Sequence, residues 1–98
     1  MKNKERKNSM DFSIVIPTWN RSELVDALLK SLYDERSRYK LGNTEVLIVD
    51  SSIDAEKENI VLSCEKYDAV YIEGDNSVRK KRNKGIKSSK YDYILFID

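Results

Sequence analysis

Phe12-Ser13-Ile14-Val15-Ile16, closed by Pro17, is an apolar run interrupted only by Ser13. A strand that shows one face to water alternates apolar with polar residues. A run of this kind suits a strand buried on both faces, the pattern of a parallel sheet covered by helices. The same character returns at Glu45–Asp50 (EVLIVD), in shorter form at Ala69–Ile72 (AVYI), and at Tyr91–Ile97 (YDYILFI). Longer amphipathic stretches separate the runs. In the first, Leu24, Val25, Leu28, Leu29, Leu32 and Tyr33 mark one face of a helix. Asn20 with Glu23 three residues later has the form of a capping box, which places the helix start at Arg21 or Ser22. Gly42-Asn43 is a stop and turn signal. The second stretch starts near Asp54 and presents Ile60, Cys64 and Tyr67 together; the third starts at Asn76 or Ser77 and carries Val78, Arg82, Gly85 and Ile86 along one face. The order β-α-β-α-β-α-β predicts an α/β fold: an open parallel sheet, doubly wound, with right-handed crossovers.

Ninety-eight residues make one domain. Residues 1–10 are basic and polar and read as a disordered tail, leaving 11–98 as the folded unit. No apolar run approaches the ~20 residues of a membrane span, and the start is not a secretory signal. The chain has no histidine and one cysteine, Cys64. That excludes an intrachain disulfide, a Cys/His zinc site and Ser-His-Asp or Cys-His catalysis within these residues. Cys64 reads as a small core hydrophobe, and the cytoplasm is the expected compartment. A net charge of +1 gives no polyelectrolyte binder, although Asn76–Tyr91 holds seven basic residues and no acid.

In open α/β sheets ligands sit beyond the carboxyl ends of the strands, near the point where strand order reverses. The loops to search are therefore Pro17–Arg21, Asp50–Asp54, Gly74–Ser77 and the segment at Asp98. Pro17 gives the first strand a rigid exit. Trp19 either offers a flat surface to a base or packs in an ordinary strand-to-helix turn. Asp50, ending an apolar strand, needs partners once desolvated. It either accepts hydrogen bonds from a base or ribose or makes an Asx turn or helix cap, a role also open to Ser52 and Asp54. Along Arg79–Gly85, Arg82 shares a side with an apolar anchor, and its planar donors match phosphate oxygens. Lys80, Lys81, Lys84 and Lys87 read as a solvated face, and Gly85 as a point of close approach between helix and sheet. Asp98 closes the fourth strand at the same edge, where a carboxylate can join a Mg²⁺ or Mn²⁺ shell with substrate phosphates.

Taken in order, FSIVIPTWNR (12–21), EVLIVDSSID (45–54), KRNKGI (81–86) and YDYILFID (91–98) resemble the family 2 glycosyltransferases, over nearly all of residues 12–98. The resemblance implies a Rossmann-like nucleotide-binding half of a GT-A fold. It implies that Pro17, Thr18 and Trp19 contact base and ribose, that Asp50 bonds the base, usually uracil of UDP, and that Arg82 lies by the diphosphate. Asp98 would open an Asp-x-Asp motif that binds a divalent metal, Mn or Mg. The implied reaction is transfer of a sugar from a nucleotide-diphosphate sugar to an acceptor hydroxyl, usually with inversion. Two departures stand out: Ser51 occupies the place of a second acid, and Asp54 comes one residue early. The family's acceptor half and catalytic base have no counterpart among these residues, so the chain is expected to be an inactive fragment of a longer enzyme. Its last apolar strand, left unprotected, invites pairing into a homodimer through the sheet edge, which sedimentation at high concentration would detect.

Other classes fit less well. A non-catalytic regulatory module of the receiver type needs acids where Pro17-Thr18 stand and an acceptor aspartate where Gly74-Asp75 stand. Nucleic-acid binding through residues 79–90 is disfavoured by the near-neutral net charge and by a single plausible stacking aromatic.

Overall fold

The computed structural model describes residues 11–39 and 43–98; the expected tail over 1–10 and Gly42 of the turn lie outside them. Its elements are β1 (Phe12–Thr18), α1 (Ser22–Tyr39), β2 (Thr44–Asp50), α2 (Asp54–Lys66), β3 (Val70–Glu73), α3 (Val78–Ser88) and β4 (Tyr93–Phe96). The four strands run parallel in the order β3-β2-β1-β4, as the alternation of elements predicts. The chain builds outward from β1 to β3, then crosses to the opposite edge, so strand order reverses between β1 and β4. Right-handed crossovers then require α1 and α2 on one face and α3 on the other.

The core confirms that layering. Ile14 and Ile16 of β1 and Val46 and Ile48 of β2 pack with Val25, Leu29, Ile60, Cys64 and Tyr67. Val15, Leu47 and Val49 point the other way and pack with Ile72 and Ile94. Each fully buried Val, Leu or Ile contributes about 1.5–3 kcal/mol, which explains why the two central strands are apolar on both faces. Burial pushes the Cys64 thiol up to about 12, with the negative charges of Asp50 and Glu65 adding to the effect, so it behaves as a core residue.

Pro17 lies inside β1, opposite Val49. The backbone of Val15 faces β4, since its carbonyl accepts from Ile97 N–H at 3.1 Å. By strand periodicity Pro17 faces the same side, and β4 pairs β1 only as far as Val15. The proline therefore removes a donor where no ladder partner exists.

Helix starts differ in detail from the sequence reading. α1 begins at Ser22, within the expected range, but no capping box forms. Asn20 takes a left-handed φ of 51° and gives its N–H to Ser52 Oγ at 2.7 Å. The first turn of α1 is met instead by Glu56 of α2, whose Oε1 accepts Ser22 N–H at 2.9 Å. Asp54, at φ 55°, does not cap α2 either; Ile53 holds the cap position without a side-chain bond. Ser77 does cap α3, its Oγ accepting Lys80 N–H at 3.3 Å.

The buried face of α3 also differs. Lys81 and Gly85 turn inward, while Val78 and Ile86 stay exposed and Arg82 flanks the contact. Gly85 sets this orientation. A Cβ there would overlap Val15 Cγ1, so only glycine lets the helix backbone lie on the sheet. A residue four earlier shares that face, which carries Lys81 inward.

Candidate nucleotide-sugar site

A cavity of about 440 Å³ opens at the carboxyl end of β1, where strand order reverses. Its wall includes Pro17, Thr18, Trp19, Lys81 and Asp98, with Arg21 just ahead of α1. Trp19 is 54% exposed and lines the cavity. Arg82 borders the cavity through an ion pair with Asp98, and its guanidinium lies 5.7 Å from the centre of the Phe96 ring. Its Nε is buried without a hydrogen-bond partner.

Of the residues singled out from sequence, Pro17, Thr18, Trp19 and Asp98 thus meet in one cleft, with Arg82 joined to them. Asp50 does not reach the wall. It lies beneath Thr18, with 0% exposure, and all its acceptor capacity is used from within. Oδ1 accepts from Thr18 Oγ1 at 2.7 Å and Ser52 Oγ at 2.8 Å; Oδ2 accepts from Ser52 N–H at 3.1 Å and Tyr71 OH at 2.8 Å. A carboxylate offers about four lone-pair sites, so the set is complete. The Asx-turn reading of Asp50 is realised in the Ser52 N–H bond, and the same side chain fastens the loop that carries Trp19.

Two participants escaped the sequence reading. Tyr71 bonds Asp50 from the neighbouring strand; burial first, then the bond to that carboxylate, raises its phenol above the ordinary tyrosine range. Lys81, expected on a solvated face, is 3% exposed and donates from Nζ to the Thr18 carbonyl at 2.8 Å. Its burial lowers the ammonium pKa from the usual lysine value, and the nearby Asp50 charge opposes that shift. The signal that could have found Lys81 was its place four residues before Gly85.

A divalent ion held by protein groups alone needs more carboxylates than this cleft offers. Among the described residues no three His, Cys, Asp or Glu side chains converge, and Asp98 is engaged with Arg82. Asp98 is the carboxylate of this cleft that could join a divalent ion whose shell substrate phosphates complete.

An open parallel sheet with a cleft at its reversal point defines the class: a doubly wound, Rossmann-like α/β unit. The chain belongs to glycosyl transferase family 2, whose family model matches residues 13–98. It is 38% identical over 95 residues to the amylovoran biosynthesis glycosyltransferase AmsB of Erwinia amylovora, covering 91% of this chain and 30% of that protein. It is 31% identical over 97 residues to a chondroitin synthase of Pasteurella multocida, covering 92% of this chain and 9% of that one. A crystal structure of S. aureus TarS, residues 1–349, superposes with a TM-score of 0.69 at 28% identity, covering 91% of this chain and 27% of that chain. The chain thus spans less than a third of the length of each of these relatives.

Proposed function

We propose that this chain is the donor-binding part of a glycosyltransferase that moves a sugar from a nucleotide-diphosphate sugar to an acceptor hydroxyl. The observation that carries the reading is the cleft at the reversal point, which brings an exposed indole, arginine and lysine cations and a strand-end carboxylate together. Family membership and the glycosyltransferase names of the relatives support it.

In this reading the base stacks on Trp19, and Pro17 and Thr18 shape the floor beneath it. Arg82 meets the diphosphate when its pair with Asp98 opens, since phosphate and carboxylate compete for the same planar donors. Asp50 acts from below, holding Thr18 and Ser52 so that the Trp19 loop is formed before the ligand arrives. Among the described residues, Asp50 is buried and saturated, and Asp98 is paired with Arg82 until the diphosphate takes its place. In this reading the base that takes the acceptor proton lies outside these residues, and this chain binds donor without turning it over. A divalent ion would neutralise the leaving diphosphate, with Asp98 as one oxygen ligand and further ligands from elsewhere.

Trp19 is the sole tryptophan, so its fluorescence reports on this loop alone. Titration with UDP, GDP and dTDP, each with and without Mn²⁺, is expected to quench it saturably with at least one nucleotide. Trp19→Ala, followed by calorimetry, is expected to weaken that binding by roughly 5- to 150-fold, the worth of about 1–3 kcal/mol of base stacking. A folded sample indifferent to all three nucleotides contradicts the proposal.

A further inference from the structure

Lys81 is a buried cation that bonds no anion. Its side chain is 3% exposed, yet among the described residues it makes no ion pair. An ammonium has three N–H donors. One goes to the Thr18 carbonyl at 2.8 Å, an oxygen that also accepts Ser51 N–H at 3.2 Å in the continuation of the sheet. Asp50 is near enough to act on the charge, but its oxygens are filled by Thr18, Ser52 and Tyr71. A buried charge left short of partners is costly, and chains shed such residues unless something meets the charge. Here an apolar residue would serve packing alone, because the stem lies against Gly74, whose absent side chain makes the slot: a Cβ at that position would stand 3.2 Å from Lys81 Cγ. Lys81 also lines the cavity that holds Trp19 and Asp98.

We propose that Lys81 is a ligand of the donor's diphosphate, its ammonium anchored on the Thr18 carbonyl and its remaining donors offered to a phosphate oxygen in the cleft. The proposal rests on the nucleotide-sugar reading above and adds a second, deeper cation to Arg82. The two differ in kind. Arg82 stands on the rim, already paired with Asp98, and must exchange partners; Lys81 stands inside with no anion bonded to it. The Thr18 carbonyl lies one residue before Trp19, so the group that meets phosphate is tethered to the loop that meets the base. Diphosphate and base would then bind cooperatively through that short link.

The test compares nucleoside diphosphates with their nucleosides: UDP, GDP and dTDP against uridine, guanosine and thymidine, with inorganic pyrophosphate as a probe lacking the base. Lys81→Met keeps the stem and removes the charge. It is expected to weaken diphosphate binding roughly 10- to 100-fold, as for a lost hydrogen bond to a charged group, and to leave nucleoside binding within about twofold. Lys81→Arg is expected to recover part of the loss. If Lys81 only braces the Trp19 loop, Lys81→Met lowers nucleoside and diphosphate affinity by the same factor, which overturns the proposal while leaving the nucleotide reading intact. Wild-type protein that binds none of these probes overturns that reading itself. Should Lys81→Met fail to fold, the wild type still decides: the Lys81 Nζ resonance is expected to shift with the diphosphate and not with the nucleoside. An unmoved resonance at saturating diphosphate counts against direct contact.

Discussion

Asp50→Ala is expected to destabilise the protein by about 3–5 kcal/mol, the combined cost of several buried donors left without an acceptor. The substitution orphans Ser52 N–H and the hydroxyls of Thr18, Ser52 and Tyr71 in a site closed to water. Each buried polar group left unpaired costs about 1–3 kcal/mol, though the hydroxyls can rotate and recover part of it. For a domain of this size the melting temperature falls by well over ~10 °C. Asp50→Asn separates roles. The amide is close to isosteric but replaces an acceptor oxygen with a donor nitrogen facing existing donors, so it too is expected to lower Tm, by a smaller amount. A side chain used only to read a base would instead leave Tm unchanged in Asp50→Asn and alter nucleotide affinity alone. Thermal unfolding followed by circular dichroism distinguishes the outcomes.

The second large effect is expected at Gly85. A Cβ there overlaps Val15 Cγ1 and comes within 3.1 Å of Cγ2 and 3.3 Å of Cβ. Val15 is fully buried in a central strand and has no free direction in which to yield. Overpacking of this sort costs about 1–3 kcal/mol, while alanine returns about 1 kcal/mol of helix propensity over glycine. Gly85→Ala is therefore expected to lose up to about 2 kcal/mol net. Gly85→Val, with more atoms and a weaker helix former, is expected to lose about 3 kcal/mol or more. Because α3 carries Lys81 and Arg82, lifting it from the sheet also draws both cations away from the cleft. Nucleotide affinity should fall together with stability. Val15→Ala in the Gly85→Ala background makes room, so the double variant is expected to be more stable than the sum of the single losses. Additive losses in denaturant unfolding would show that the two side chains do not share this space.

Much of the architecture is legible from residue type alone. β1 and β2 are read correctly because a strand buried on both faces leaves no polar alternation to misinterpret. α1 and α2 are legible as helices because their buried residues, such as Leu29, Ile60 and Cys64, keep helical spacing, although Leu24 and Tyr33 of the expected α1 face stay exposed. α3 resists that reading because its inward face has almost no apolar content: a lysine and a glycine make the contact. Lysine is rarely buried unless partnered, so its default assignment to solvent is the sound one and fails here for a local reason, the Gly85–Val15 approach. The site divides along the same line. Trp19 and Asp98 announce themselves by falling at strand ends, where the fold places ligands. Tyr71 does not, because its bond to Asp50 depends on the register of β3, a four-residue strand whose pairing no pattern in the sequence specifies. Asp50 was readable as a residue in need of partners. Whether those partners were a ligand or the protein itself required the positions of Thr18, Ser52 and Tyr71.

The most direct measurement is an amide-resolved NMR titration of the protein with UDP, GDP and dTDP, with Mg²⁺ as the diamagnetic ion. The nucleotide that binds should move the Trp19 indole N–H and the backbone signals of Thr18, Lys81, Arg82 and Asp98 together, with one common saturation curve. Shifts centred on the groove between α1 and α2, around Glu23, Asp26 and Asn59, or no shifts in a folded sample, would contradict a donor site at the end of β1.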